Sequence, residues 1–140
     1  MGINAAIAEV QRLIGGLDGI RGAPVEPPES INQFPFAVAY LGGGTWSHAG
    51  NWKRGLHTIV VELHINRADL PRDIRAALRY SENVPDILMS NPTLAGTVDH
   101  ILTTPDTPLI YEFGAMEWGT VKTVGYRWRL TVKMQSAIGA

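Results

Sequence analysis

The sequence predicts an α+β fold: a mostly antiparallel, or mixed, sheet of about four to six strands with helices packed on one face. Three observations predict it. Ile3, Ile7, Val10, Leu13, Ile14 and Leu17 recur at three- and four-residue spacing, the mark of one apolar helical stripe. From Val124 to Met134 every even residue is apolar and every odd residue is small or polar, the mark of a half-buried strand. Between these ends, alternating segments and a second helical stripe follow in the order helix, strands, helix, strands.

The elements follow along the chain. Gly15, Gly16, Gly19 and Gly22 end the N-terminal helix. Residues 23–35 contain Pro24, Pro27, Pro28 and Pro35 and read as an extended connector laid over the body. Phe34, Phe36, Val38 and Tyr40 alternate as a strand, which Leu41-Gly42-Gly43-Gly44 is expected to break. Thr45 to Gly55, with Gly50-Asn51 in its middle, reads as a long β-hairpin excursion. In the strand His57 to Ile65, Ile59, Val61, Leu63 and Ile65 share one face. Thr58, Glu62 and His64 share the other.

Asp69 reads as the N-cap of a central helix, with Pro71 just inside and Ile74, Ala77 and Leu78 as its apolar stripe. Asn83 to Met89 adds a further helical turn, and Asn91-Pro92 marks a boundary. Leu94 to Leu102 reads as either strand or helix end. Thr104 to Pro108 is a turn, Leu109 to Phe113 a strand, and Glu117-Trp118-Gly119-Thr120 the turn into the last strand. No internal repeat divides the chain, so residues 1–140 read as one domain.

Composition narrows the function. Only 25 of the 140 residues, or 18%, are charged, against a usual ~25%. A domain with so little charge has less polar material to cover itself. The net charge of −1 provides no strong field to recruit DNA or an anionic membrane. Residues 1–70 carry five basic and six acidic groups and residues 71–140 seven of each, so there is no basic arm or acidic tail. The chain has no cysteine, which excludes disulfides, thiolate metal sites and cysteine catalysis. No run of about 18 apolar residues suggests a membrane span. Met1 to Leu17 does not read as a signal peptide.

Catalytic signatures are weak. His57 and His64 lie seven apart on one strand and so on opposite faces. His48 and His64 would share a face if the hairpin folded back, with Glu62 nearby. That gives a two-His, one-carboxylate metal site as the alternative reading, a small metal-dependent enzyme. Glu112, Glu117, Asp99 and Asp106 have no spacing that aims two carboxylates at one bond. No serine has a nucleophile motif, and Gly15 to Gly19 is no phosphate loop. The chain is expected not to be an enzyme and to need no cofactor.

The candidate sites are instead protein interfaces. Trp46, Trp52, Lys53 and Arg54 crowd one glycine-rich excursion, and Trp and Arg are the residues that anchor interfaces. Arg72, Arg75 and Arg79 repeat at helical spacing, and Trp118 stands at the last turn. Arg127, Arg129 and Lys133 give one face of the last strand positive charge. A self-associating binding module is a third reading of these features.

The order of these motifs resembles the tail terminator family of long-tailed bacteriophages. The resemblance rests on the N-terminal helix, Phe34-Pro35-Phe36, the strand from Leu56 to His64, Leu70-Pro71 opening a helix, Leu94 to Val98, Tyr111 to Gly114, and Gly125 to Leu130. It implies a structural virion protein at the tail-neck junction, assembled in the host cytoplasm. Such a protein forms a homo-hexameric ring that caps the tail tube, ends its polymerisation and meets the head-completion or neck connector protein. DNA passes through the lumen without specific binding. Other head-tail connector subunits share this class. The resemblance transfers no functional residue.

Overall fold

A computed structural model describes residues 2–23, 33–66 and 72–139. The elements in order are α1 (Ile3–Gly15), β1 (Phe36–Gly44), β2 (Ser47–Ala49), β3 (Trp52–Ile65), α2 (Arg72–Ala77), α3 (Tyr80–Met89), β4 (His100–Leu102), β5 (Ile110–Trp118) and β6 (Val121–Ala137). The six strands form one sheet, and every strand pairing in it is antiparallel. β3 and β6 are its long centre, in register from Trp52 opposite Ala137 to Ile65 opposite Val124. β1 and β2 flank β3 on one side, and β5 and β4 flank β6 on the other. The predicted α+β class, N-terminal helix, central helix and protruding hairpin are all present.

The alternation read from the last strand governs the packing. Val124, Tyr126, Trp128, Leu130, Val132 and Met134 are all buried. They join Ile59, Val61, Leu63 and Ile65 of β3 and Ala37 and Ala39 of β1 in one core. The helices cover this face with Ala6, Val10, Leu13 and Ile14 from α1, Ala77 from α2, and Tyr80, Val84 and Leu88 from α3. Hydrogen bonds add to this packing, both within the helical layer and between it and the sheet. Tyr126 donates its hydroxyl to the Ala77 carbonyl at 3.2 Å, and Tyr80 donates to the Asp18 carbonyl at 2.8 Å. Tyr126 stacks on Trp128 at 4.9 Å between centroids.

Several local expectations are corrected. β1 is not broken at the glycines but runs through them to Gly44, with its register shifting between Leu41 and Gly43. An extra residue in one strand is absorbed as a bulge, which glycine tolerates. The central helical region is two helices, α2 and α3, separated at Leu78 and Arg79. Tyr80, Val84 and Leu88 repeat every four residues and are buried, so α3 begins before Pro85 rather than near it. Of the stretch read as strand or helix end, only His100–Leu102 is strand; residues 92–97 are turns, with φ of 46° at Leu94, 58° at Ala95 and 80° at Gly96. Burial of Leu94 offsets the left-handed backbone it adopts there. Trp118 closes β5 rather than sitting in the turn, which is Gly119 and Thr120. The connector prolines at 24, 27 and 28, the Asp69 cap and Pro71 lie outside the described residues.

The hairpin turn is tight. Ala49 pairs with Trp52, leaving Gly50 and Asn51 between them, and Gly50 has φ +67°. Glycine at the first central position is what a type II′ hairpin turn requires.

Candidate functional site

The sheet face turned away from the helices carries the polar chemistry. Strand alternation places Phe36, Val38 and Tyr40 of β1 on this face, beside His64, Glu62 and Val60 of β3. Gly125, Arg127 and Arg129 of β6 come next, then Gly114, Glu112 and Ile110 of β5. Glu62 is the hub. It is 3% exposed and accepts hydrogen bonds from the Tyr40 hydroxyl, from His64 Nε2 at 2.8 Å and from Arg127 Nε at 3.2 Å. Both ring nitrogens of fully buried His64 are occupied, since its Nδ1 lies 2.6 Å from Thr123 Oγ1. Arg127 reaches onward to Glu112 at 3.2 Å, and Arg129 stands 3.9 Å from the same carboxylate.

Gly125 makes this geometry possible. It lies opposite His64, and a Cβ there would fall 1.8 Å from the Leu63 carbonyl oxygen. Without a side chain at 125, the β3 backbone approaches β6 closely and the His64 ring reaches Thr123. Trp118 packs over the same region. Its ring lies 6.0 Å from His64, edge-on, and 6.1 Å from Tyr40.

The electrostatics follow from the bonding. Burial alone would raise the Glu62 carboxyl. The bonds from His64, Tyr40 and Arg127 together outweigh it and hold the carboxyl below its ordinary value. Burial first, and then the hydrogen bond to Glu62, push the Tyr40 phenol up to about 12, so it stays a donor. The network spans β1, β3, β6 and β5. Chemically it does one thing well: it pins four strands in one register. Its acid and base groups are bonded to each other, and Glu62, His64 and Thr123 line neither the cavity bordered by Arg72 and Arg79 nor the groove under Trp46 and Trp52.

The metal alternative is corrected by topology. His48 pairs with Lys53 near the start of β3, while His64 is near its end. At about 3.3 Å per residue these positions are roughly 35 Å apart. The expected neighbourhood of His64 and Glu62 is real, but His48 stands exposed on the hairpin, outside it. Among the described residues no three His, Asp or Glu side chains are grouped to hold a metal ion. His57 is buried on the helix-side face under the Trp46 ring, 4.3 Å away, with its imidazole pKa lowered by burial and then by Lys53.

The predicted interface residues fall in three places. Trp46 and Trp52 are 42% and 46% exposed on the hairpin, and Lys53 Nζ lies 4.6 Å over the Trp46 ring. Both tryptophans and Lys53 line a groove of about 550 Å³ with Ile3, Val98 and Met134. Arg54 donates to the Gln135 side chain at 3.3 Å. Arg72 and Arg79 border a second, larger cavity of about 810 Å³ with Arg21 and Phe34, while Arg75 is exposed on α2. Arg79 is held by the Asp18 carbonyl and by Tyr80. Trp118 belongs with the polar network, half a sheet away from the hairpin.

Sequence reasoning did not join Tyr40, Thr123, Arg127 and Glu112 to Glu62 and His64. The signal was present. Glu62 and His64 are polar residues two apart in the otherwise apolar stretch from Ile59 to Ile65, and such residues need partners when buried. No helix is long and apolar enough to cross a membrane among the described residues. No protein-family model matches the chain, and no curated protein matches it either.

Proposed function

We propose that this chain is a structural virion protein of the tail terminator class. Copies of it form a closed ring, of about six subunits, that caps a phage tail tube and joins it to the neck connector. The observation that carries this reading is the placement of its exposed apolar side chains. Leu41, Trp46, Trp52 and Leu56 are exposed where β1, β2 and the first half of β3 meet, and Ile110, Tyr111 and Phe113 are exposed on β5, across the sheet. A ring subunit needs such separate contact surfaces, since each copy meets two neighbours and two axial partners. The low charge supports the same reading, because surface covered by neighbours needs fewer charges. Near-neutral net charge suits a lumen through which DNA slides.

The hairpin tryptophans are assigned to assembly. Replacing Trp46 and Trp52 together by Ala is expected to leave the circular dichroism spectrum unchanged and to weaken attachment to purified tail-tube protein at least tenfold. Each loss of an anchoring Trp at an interface centre costs about 2 kcal/mol or more. If the double variant unfolds instead, the pair belongs to the core and the hairpin is not the contact.

A further inference from the structure

β5 is an edge strand with little of the usual protection. Its nine residues carry no Lys and no Pro, and its register against β6 runs unbroken from Ile110 to Trp118. Among the described residues β6 is its one strand neighbour. Edges of this kind are normally blunted, because their free N–H and C=O groups are a template for another chain. Large apolar groups flank the edge on both faces. Tyr111 and Phe113 are 51% and 40% exposed on the helix-side face, and Ile110 is 56% exposed on the other.

The opposite edge of the sheet is different. The Ala37 N–H donates to the Gly22 carbonyl at 2.7 Å, and the Ala37 carbonyl accepts from Gln11 Nε2 at 3.2 Å. Both outward groups of Ala37 are thus covered, and the register then shifts beyond Leu41. β1 offers another strand little more than Ala39 and Leu41.

Which β5 groups point outward follows from Ala37. In a strand the backbone groups of alternate residues point to alternate sides. If Ala37 points away from β3, then Phe36, Val38 and Tyr40 face it. Their partners His64, Glu62 and Val60 face β1, so Leu63, Val61 and Ile59 face β6. Tyr126, Trp128 and Leu130 answer them, which leaves Gly125, Arg127 and Arg129 facing β5. Their partners Gly114, Glu112 and Ile110 are satisfied inward. The outward groups of β5, unpaired among the described residues, are therefore those of Tyr111, Phe113, Ala115 and Glu117. The Lys133 carbonyl, which accepts the Asp99 N–H at 2.9 Å on the β4 side, agrees with this parity.

We propose that β5 is a self-recognition edge: two copies of the chain pair antiparallel along it about a two-fold axis at Gly114. That register uses all nine residues and leaves Pro108, which has no N–H, outside. Tyr111 of one copy pairs with Glu117 of the other and Phe113 with Ala115, each pair made twice by the symmetry. All of these are outward-pointing residues. The charges suit it. β5 carries Glu112 and Glu117 and no cation, yet Glu112 comes opposite Met116 and Glu117 opposite Tyr111, so no carboxylates meet. Arg127 and Arg129 already neutralise Glu112 from the same sheet. Ile110 meets Trp118 at each end. This pairing concerns the free chain: it covers the β5 side chains that the ring reading gives to a neighbour, so it must open before a ring closes on a tail tube, which a two-fold contact alone does not build.

The test uses the absence of native cysteine. Gly114→Cys places a thiol where nothing lies within 4 Å. On the axis its backbone groups point inward, so the residue faces its own copy as a non-hydrogen-bonded pair with Cα atoms about 4.5 Å apart, within disulfide range. Oxidation of purified Gly114→Cys is expected to give a covalent dimer on non-reducing gels, while Leu41→Cys on the β1 edge stays monomeric. Sedimentation of the unmodified chain should show a dimer. Ala115→Pro, which removes only an outward N–H, should shift it to monomer with its circular dichroism unchanged. A Gly114→Cys chain that stays monomeric, or a Leu41→Cys chain that cross-links as readily, overturns the proposal.

Discussion

Replacing Trp128 by Ala is expected to destabilise the chain by about 3–5 kcal/mol, read as a fall in urea midpoint at unchanged slope. Trp128 is fully buried at the centre of β6, opposite Val61 of β3 and Tyr111 of β5, and its ring stacks on Tyr126. The loss combines burial of a large apolar surface with the cavity left behind, because two strand neighbours hold the site open and a rigid sheet cannot collapse into it. The whole stability of a domain is roughly 5–15 kcal/mol, so the variant stands near the edge of folding. Trp128→Phe is the informative companion. The indole Nε1 is buried without a hydrogen-bond partner among the described residues, so losing it forfeits no bond. The Phe variant should cost well under half as much.

Replacing Glu62 by Ala is expected to cost about 3 kcal/mol or more, at the level of a broken buried ion pair. The change leaves His64, Arg127 and Tyr40 without their shared acceptor, and His64 has no route to water. Glu62→Gln keeps an acceptor oxygen and should cost less. The pH dependence distinguishes charge from shape. The folded-state carboxyl is held below its ordinary value near 4.5, so Glu62 contributes stability above that pH. The contribution is lost as pH falls through the lower folded value. Wild-type stability should therefore decline below about pH 4.5, and part of that decline should vanish in Glu62→Gln. Equal acid sensitivity of the two would remove Glu62 from the account.

The fold was largely legible because one period recurs. The even residues of β6 from Val124 to Met134 are apolar, and all six of them prove buried; the odd residues of β3 from Ile59 to Ile65 behave the same way. The stripe of α1 was equally plain. Legibility failed where two physical demands compete. Gly42 to Gly44 look like a break, yet they accommodate a bulge inside a continuing strand. Leu94 and Ala95 carry no turn chemistry, yet they adopt left-handed backbone because tertiary burial of Leu94 overrides local preference. Tyr80 was hidden as a helix start by the arginines before it.

The site was half legible. That Glu62 and His64 share a face follows from their spacing, and so does the separation of His57 from His64. Their partners do not follow from spacing, because Thr123, Arg127 and Tyr40 arrive by sheet register from strands far along the chain. His48 was misplaced for the same reason: pairing with β3 at Lys53 commits the hairpin to the far end of the sheet. The exposure of Trp46 and Trp52 on the excursion follows from its glycine-rich sequence. The edge character of β5 does not, since apolar residues such as Ile110 and Phe113 read as core until the order of the strands is known.

The most direct measurement is electron microscopy of purified chain mixed with elongating tail-tube protein. The account predicts a ring of about six copies seated on one end of each tube, and tubes that stop growing once capped. Tubes that lengthen unchanged, with the chain remaining free in solution, would contradict it.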